Sequence, residues 1–317
     1  MRGAARSAWF HGVVTEPVPD APVQTVPSAA LSPAKGFLAV VSAFVLGQLL
    51  GGLGLIGAAA LLLVIGEASV RDLSKEATLR ALLLRPFTVG VSLVATQTAL
   101  ALTTYAFARM GKLRFGDAVG LRGGERRLRV LDVILSLLLV LAIGPLADAA
   151  AVLVARTFPG FTLGTIDMIG DLMRGDAVTA ILIGLLVALA PAFAEEVLFR
   201  GLLLRALLAR FGPAVAVVAS SLLFGLIHVD PPQATGAALI GLALGFMTCR
   251  TGSLWPAMAA HAANNGAAVL LARYSDPKPM AQLAIDPWEV STSVVVTLVL
   301  VAVIAVRTPR RVVNATD

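Results

Sequence analysis

Long apolar runs, broken only by short charged or turn-forming stretches, dominate this chain from about residue 36 to residue 306. A helix rising about 1.5 Å per residue crosses the roughly 30 Å hydrocarbon core of a bilayer in about 20 residues. Inside lipid every backbone polar group must be satisfied internally, so runs of this kind fold as helices. Composition agrees: only 14% of the 317 residues are charged, against roughly 25% in an ordinary soluble domain. The expected fold class is therefore all-α, a polytopic membrane helical bundle of about eight transmembrane helices.

The eight spans are expected near 36–66, 86–108, 131–155, 177–204, 213–229, 233–249, 254–272 and 287–306. The first is rich in glycine (Gly47, Gly51, Gly52, Gly54, Gly57), which leaves a tilt, a kink or a break as its options. The stretch 67–85 mixes Arg71, Asp72, Lys75, Glu76, Arg80 and Arg85 with leucines, the pattern of an amphipathic interfacial helix. Residues 1–34 lack the apolar core of a signal peptide; Pro17, Pro19, Pro22, Pro27 and Pro33 mark an expected disordered tail. Four regions follow: the tail 1–34, helices 35–176 with a basic loop at 109–130, a chemistry-bearing core at 177–272, and a last span with a basic tail at 273–317. The single cysteine, Cys249, excludes a disulfide framework and any cysteine-based metal site.

The net charge of +6 reads as topology rather than as a nucleic-acid surface, because basic residues gather in the cytoplasmic loops of membrane proteins. With eight spans both termini share one side. That side collects 16 lysines and arginines and the other 8, with Arg200 inside a span. A multi-pass protein of the cell membrane with both termini cytoplasmic is expected, although the basic residues of 67–85 weigh the other way.

A charged side chain at the centre of a spanning helix costs about 2.5–3.5 kcal/mol on insertion scales, so it needs a partner or a wet cavity. The fourth span nevertheless carries Glu195, Glu196 and Arg200. Glu196 and Arg200 are four apart and share a helix face, so they are expected to pair. Glu195, about 100° round the helix, must find its partner on another span. Pro191, one turn earlier, removes a backbone hydrogen bond and is expected to kink the helix. Phe224 and His228 are four apart on the fifth span, and His261 and Asn265 are four apart on the seventh. Gly241 and Gly245 on the sixth form a small-xxx-small pair that lets a neighbour approach closely.

Residue counting puts Glu195 and His228 level and lets His261 meet them in one layer. Glu195 precedes Phe211 by 16 residues and His228 follows Pro213 by 15, so in a hairpin both lie roughly 23 Å from the turn. His261 lies nine residues past Gly252, or roughly 13 Å along its helix. Singly, an ion pair, a histidine or an asparagine in a membrane helix has a structural reading. Jointly they point to an intramembrane active site.

Glu195-Glu196-x-x-x-Arg200, Phe224-x-x-x-His228 and His261-x-x-x-Asn265 resemble the three motifs of the CAAX prenyl endopeptidase and bacteriocin-processing (Abi, or CPBP) membrane proteases. The resemblance covers about 177–272. It implies an eight-helix intramembrane glutamate protease in which Glu195 is the general base that activates water, assisted by His228. His261 and Asn265 would stabilise the oxyanion, while Glu196 and Arg200 would hold the site together, with Phe224 in support. Physically this is coherent: a carboxylate held out of water suits general-base work, and imidazole and amide N–H groups suit an oxyanion.

No cofactor is expected. Two glutamates and two histidines (Glu195, Glu196, His228, His261) are nevertheless a set that a divalent cation such as zinc accepts, although the helical H-E-x-x-H pattern of zinc peptidases is absent. Ser220 and Ser221 lack the glycine-flanked setting of a rhomboid serine, and the Gly-Asp pairs at 116–117, 170–171 and 175–176 lie in loops or span ends. The expected partners are the lipid bilayer and a membrane-associated peptide or protein substrate, not nucleic acid. Two rivals remain: a non-catalytic immunity or scaffold protein of the same fold, and a small-solute transporter, which lacks the matched broken helices of inverted repeats.

Overall fold

The computed structural model describes residues 30–67, 69, 75–121, 130–159, 165–274 and 278–307, with the backbone alone at 165–167. The expected tail therefore lies almost wholly outside the described residues, as do Arg71 and Asp72 of the 67–85 stretch and four arginines of the 109–130 loop. All described regular structure is helical. The long helices are α1 (Pro33–Val64), α3 (Pro86–Met110), α5 (Val130–Thr157), α7 (Ala177–Glu196) and its continuation through α8 (Leu204–Leu208). They are followed by α9 (Pro213–Leu226), α10 (Pro231–Thr251), α11 (Trp255–Tyr274) and α12 (Pro287–Arg307). Short helices α2 (Glu76–Leu83), α4 (Phe115–Ala118) and α6 (Thr165–Met173) lie between them.

All eight expected spans are present as helices. Proline opens α1, α3, α9, α10 and α12, where its missing N–H costs nothing and its fixed φ suits the first turn. The Ser32 hydroxyl accepts from the Lys35 N–H at the start of α1. At the start of α7 Asp176 accepts from the Thr179 N–H at 2.9 Å. Hydrogen bonds from Thr179 hold the Asp176 carboxyl below its usual range. α10 ends on Gly252 with φ 69°, the left-handed conformation that glycine adopts without strain.

Six units are long and apolar enough to cross a membrane: α1, α3, α5, α7–α8, α10 and α12. The protein is thus a multi-pass membrane protein, and its exposed Leu53, Ile56, Leu182, Leu185, Leu298 and Val299 are surface for lipid. The fifth expected span is shorter than 213–229. α9 has 14 residues, roughly 21 Å of helix, and ends before His228. α11 has 20 residues, but His261, Asn264 and Asn265 dilute its apolar character.

α1 is one unbroken helix of 32 residues, so of the three options for its glycines the break is ruled out. The glycines serve close packing on α3. A Cβ on Gly51 would lie 2.2 Å from Thr96 Oγ1, and one on Gly47 2.8 Å from Leu100 Cδ1. α5 runs through Pro145, which has no N–H to give. There Ser293 of α12 inserts its hydroxyl, donating to the Ala142 carbonyl at 2.6 Å and accepting from the Leu146 N–H at 3.3 Å. In lipid, a neighbouring helix must satisfy the freed groups in this way. α1 packs on α3, α3 on α7, α7 on α11, α11 on α5, and α5 on both α10 and α12, with α9 against α10.

Candidate active site

The site is built on a departure from α geometry. α7 stays α-helical through Pro191 and both glutamates, then takes π turns from Val197 to Leu203 before α8. Such i→i+5 segments recur at functional sites. Gly201 lies in this stretch, where a Cβ would come 2.7 Å from that of Val119.

Glu196 and Arg200 pair as their spacing requires. Arg200 Nη1 donates to Glu196 Oε1 at 2.8 Å, and both side chains are fully buried. Arg200 Nη2 donates to the Gly241 carbonyl at 3.2 Å, and the guanidinium lies 4.2 Å from the centre of the Phe224 ring. Gly241 permits this approach, since a Cβ there would lie 3.0 Å from Nη2 and 3.1 Å from the Cβ of Ser221. The small-xxx-small pair thus packs α10 on α9, with Gly245 against Val217. Glu196 Oε1 also accepts from His261 Nδ1 at 2.9 Å. A carboxylate only accepts, so this contact puts a proton on Nδ1 and turns Nε2 toward Glu195, 3.9 Å from its Oε2.

His228 is placed differently from the expectation. It stands in the turn between α9 and α10 rather than inside a helix. Its Nδ1 donates to the Phe224 carbonyl at 2.8 Å, which fixes the ring and leaves the Nε2 lone pair free in the neutral form. The next residue, Val229, has φ 63°, a conformation that is a real outlier for a β-branched side chain. The Asp230 N–H closes the turn on the His228 carbonyl at 2.6 Å. Phe224 ties the layer together, with its ring edge-on to those of Phe199, His228 and His261 at 5.2, 5.1 and 5.7 Å.

Glu195 and His228 line one cavity of about 140 Å³, closed by Phe44 and Gln48 of α1 and by Thr96 and Gln97 of α3. The other motif residues do not line it. Glu196, Arg200, Phe224 and His261 stand behind Glu195, and Asn265 donates to the Val187 carbonyl at 3.4 Å, two turns earlier on α7. Gln97 was not singled out from the sequence. Its Nε2 donates to Glu195 Oε1 at 3.4 Å, so it is a partner of the kind that Glu195 demanded from another span. The signal was an amide within an apolar run, which membrane helices rarely carry without a use.

The four residues of the alternative zinc set do not converge. Among the described residues no group of three or more His, Cys, Asp or Glu is arranged to hold a metal ion. Glu196 Oε1 is taken by Arg200 and His261, and a guanidinium at that oxygen repels a cation. As arranged, Glu196 Oε1 is not open to a cation.

No curated protein and no solved structure matches the chain. A family model described as type II CAAX prenyl endopeptidase Rce1-like matches residues 177–267, from the first residue of α7 to two residues past Asn265. Every motif residue falls within that segment, so over residues 177–267 the chain is similar to the type II CAAX prenyl endopeptidases, in keeping with the resemblance that the three motifs carry.

Proposed function

We propose that this protein is an intramembrane endopeptidase that hydrolyses its substrate with water activated by Glu195 and His228, in the manner of CAAX processing. The observation that carries the reading is the shared cavity. A carboxylate from α7 and an imidazole from the α9–α10 turn, both within the segment that matches the protease family, line the same 140 Å³ cavity.

In this reading Glu195 accepts a proton from water while His228 Nε2, free because Nδ1 is committed to the Phe224 carbonyl, accepts the second hydrogen bond. The water oxygen adds to the scissile carbonyl carbon, and the proton held by Glu195 then passes to the leaving nitrogen as the C–N bond breaks. His261 is assigned to the oxyanion, with its Nδ1–H on Glu196 fixing the ring and its other edge turned toward Glu195. Asn265, one turn along the same face of α11, is the second donor once it releases the Val187 carbonyl. No step uses a metal. Both termini are assigned to the cytoplasmic side of the cell membrane by the excess of basic residues there.

The test has two arms. In proteoliposomes, an internally quenched farnesylated peptide ending in a CAAX sequence is cleaved by the wild type and not by Glu195→Gln or His228→Ala. In cells, new N-termini of membrane proteins made with the wild type vanish with Glu195→Gln. Full activity of either variant overturns the assignment, and cleavage in cells without cleavage of the probe moves the substrate away from prenylated peptides.

A further inference from the structure

Gln97 lies on α3, far in sequence from the 177–267 segment, yet it is the one side chain of α3 that hydrogen-bonds Glu195 among the described residues. It is 9% exposed. Its Nε2 spends one hydrogen on the Glu195 carboxylate, and its Oε1 is buried with no partner among the described residues. The orientation is dictated by chemistry, because a carboxylate has no hydrogen to give and the nitrogen must face it. A buried amide with an idle carbonyl is costly, and such groups in a folded protein call for an explanation.

We propose that Gln97 is a positioning residue that holds Glu195 toward the cavity in both of its protonation states. The proposal rests on Glu195 as the general base. In the first half of the reaction an O–H bond of water breaks, its proton goes to Glu195, and the water oxygen bonds to the scissile carbon. Glu195 is then an acid with a hydrogen to donate, and the N–H of Gln97 is the wrong partner for that oxygen. A half-turn about the terminal torsion of Gln97, which is soft and close to two-fold, presents Oε1 instead. When the proton leaves for the departing nitrogen, the amide turns back. The idle carbonyl is thus the acceptor used in the second state. Glutamine carries donor and acceptor on one planar group of the needed reach; methionine has the same length and neither function.

Other charged or titratable groups around Glu195 are His261 of α11, His228 of the α9–α10 turn and, on its own helix, the Glu196–Arg200 pair. From α1 and α3 the cavity wall brings only Gln48, Thr96 and Gln97 as polar side chains. On that side the task falls to the amide.

The experiment compares the wild type, Gln97→Met and Gln97→Glu as full-length protein in proteoliposomes with the farnesylated quenched probe. Gln97→Met is expected to lower kcat about tenfold, the scale of one hydrogen bond to a charged group, with KM within twofold. Gln97→Glu, which donates only when it carries a proton, is expected to recover toward wild-type kcat as pH falls. A kcat for Gln97→Met within twofold of wild type, or a loss carried by KM, overturns the proposal. A second readout needs no substrate. Dicyclohexylcarbodiimide attacks the acid form of a carboxyl held in apolar surroundings, and mass spectrometry reads its adduct at Glu195. Because the hydrogen bond to the charged carboxylate is worth more than the one to the neutral acid, Gln97→Met is expected to be labelled at least threefold faster than the wild type, and equal rates overturn the proposal. If the wild type cleaves nothing, the peptidase reading falls on the first assay while the labelling still decides the role of Gln97.

Discussion

Replacing Arg200 by methionine tests the energetics of the buried cluster behind Glu195. Arg200 and Glu196 are both fully buried and meet at 2.8 Å. Removing the guanidinium leaves a carboxylate out of water with His261 as its one remaining hydrogen-bond partner among the described residues. Breaking a buried pair by deleting one partner costs about 3–5 kcal/mol. The contact over the Phe224 ring, 4.2 Å from its centre, adds up to about 2 kcal/mol when desolvated. Against this, helices unfolded within a micelle stay inserted and find other partners, which lowers measured interaction energies in membrane proteins. The expected loss is about 3 kcal/mol. Reversible unfolding in mixed micelles with increasing dodecyl sulfate, followed by circular dichroism, reads it directly. The Glu196→Gln/Arg200→Met double variant removes both charges and is expected to be more stable than Arg200→Met alone by at least about 1 kcal/mol. Arg200→Lys is not expected to restore the wild type, since a point charge cannot serve Glu196 and the Gly241 carbonyl as a planar fork does. A loss below about 1 kcal/mol in Arg200→Met, or strictly additive single variants, refutes the claim that the pair anchors this layer.

Two further outcomes are expected. Val229→Gly relieves a left-handed conformation worth about 1–2 kcal/mol for an L-residue while adding freedom to the unfolded chain. The net gain expected in the same micelle titration is about 0.5 kcal/mol, accompanied by a lower kcat as the turn holding His228 loosens; destabilisation would show that the turn is not strained. Metal chelators are expected to leave cleavage of the quenched probe unchanged, whereas loss on chelation and rescue by zinc would show that the donor set rearranges to hold a cation.

Much of the fold was legible because its signals are local. Proline-led apolar runs place the helices, and helix-face arithmetic pairs Glu196 with Arg200. What was not legible depends on contacts between distant segments. The end of α9 is one case: Phe224, Gly225, Leu226, Ile227 and Val229 keep the run apolar past the last helical turn, so composition shows no boundary. Packing explains the tight hairpin, since a Cβ on Gly225 would come 2.5 Å from the Ala234 carbonyl, and Pro231-Pro232 was the local hint. The glycines of α1 are another case, as their role appears only once α3 lies against them.

Glu195 marks the limit most sharply. The spacing of the fourth span showed that its carboxylate points away from Arg200 and needs a partner from another helix. Nothing in that span says which helix. The answer, Gln97, sits 98 residues earlier, in a run where Thr96, Gln97 and Thr98 read together as polar dilution of a membrane helix. An amide there has two uses, a bond to a neighbouring helix or a bond to the chemistry, and both leave the same mark on the sequence. Only the packing of α3 against α7 separates them: it sets the nitrogen on a carboxylate at the cavity and leaves the carbonyl oxygen idle. A helix-to-helix strut would be worth most with both ends satisfied. On the proposed reading of Glu195 as the general base, an amide with its carbonyl still to pair suits a proton that arrives and departs.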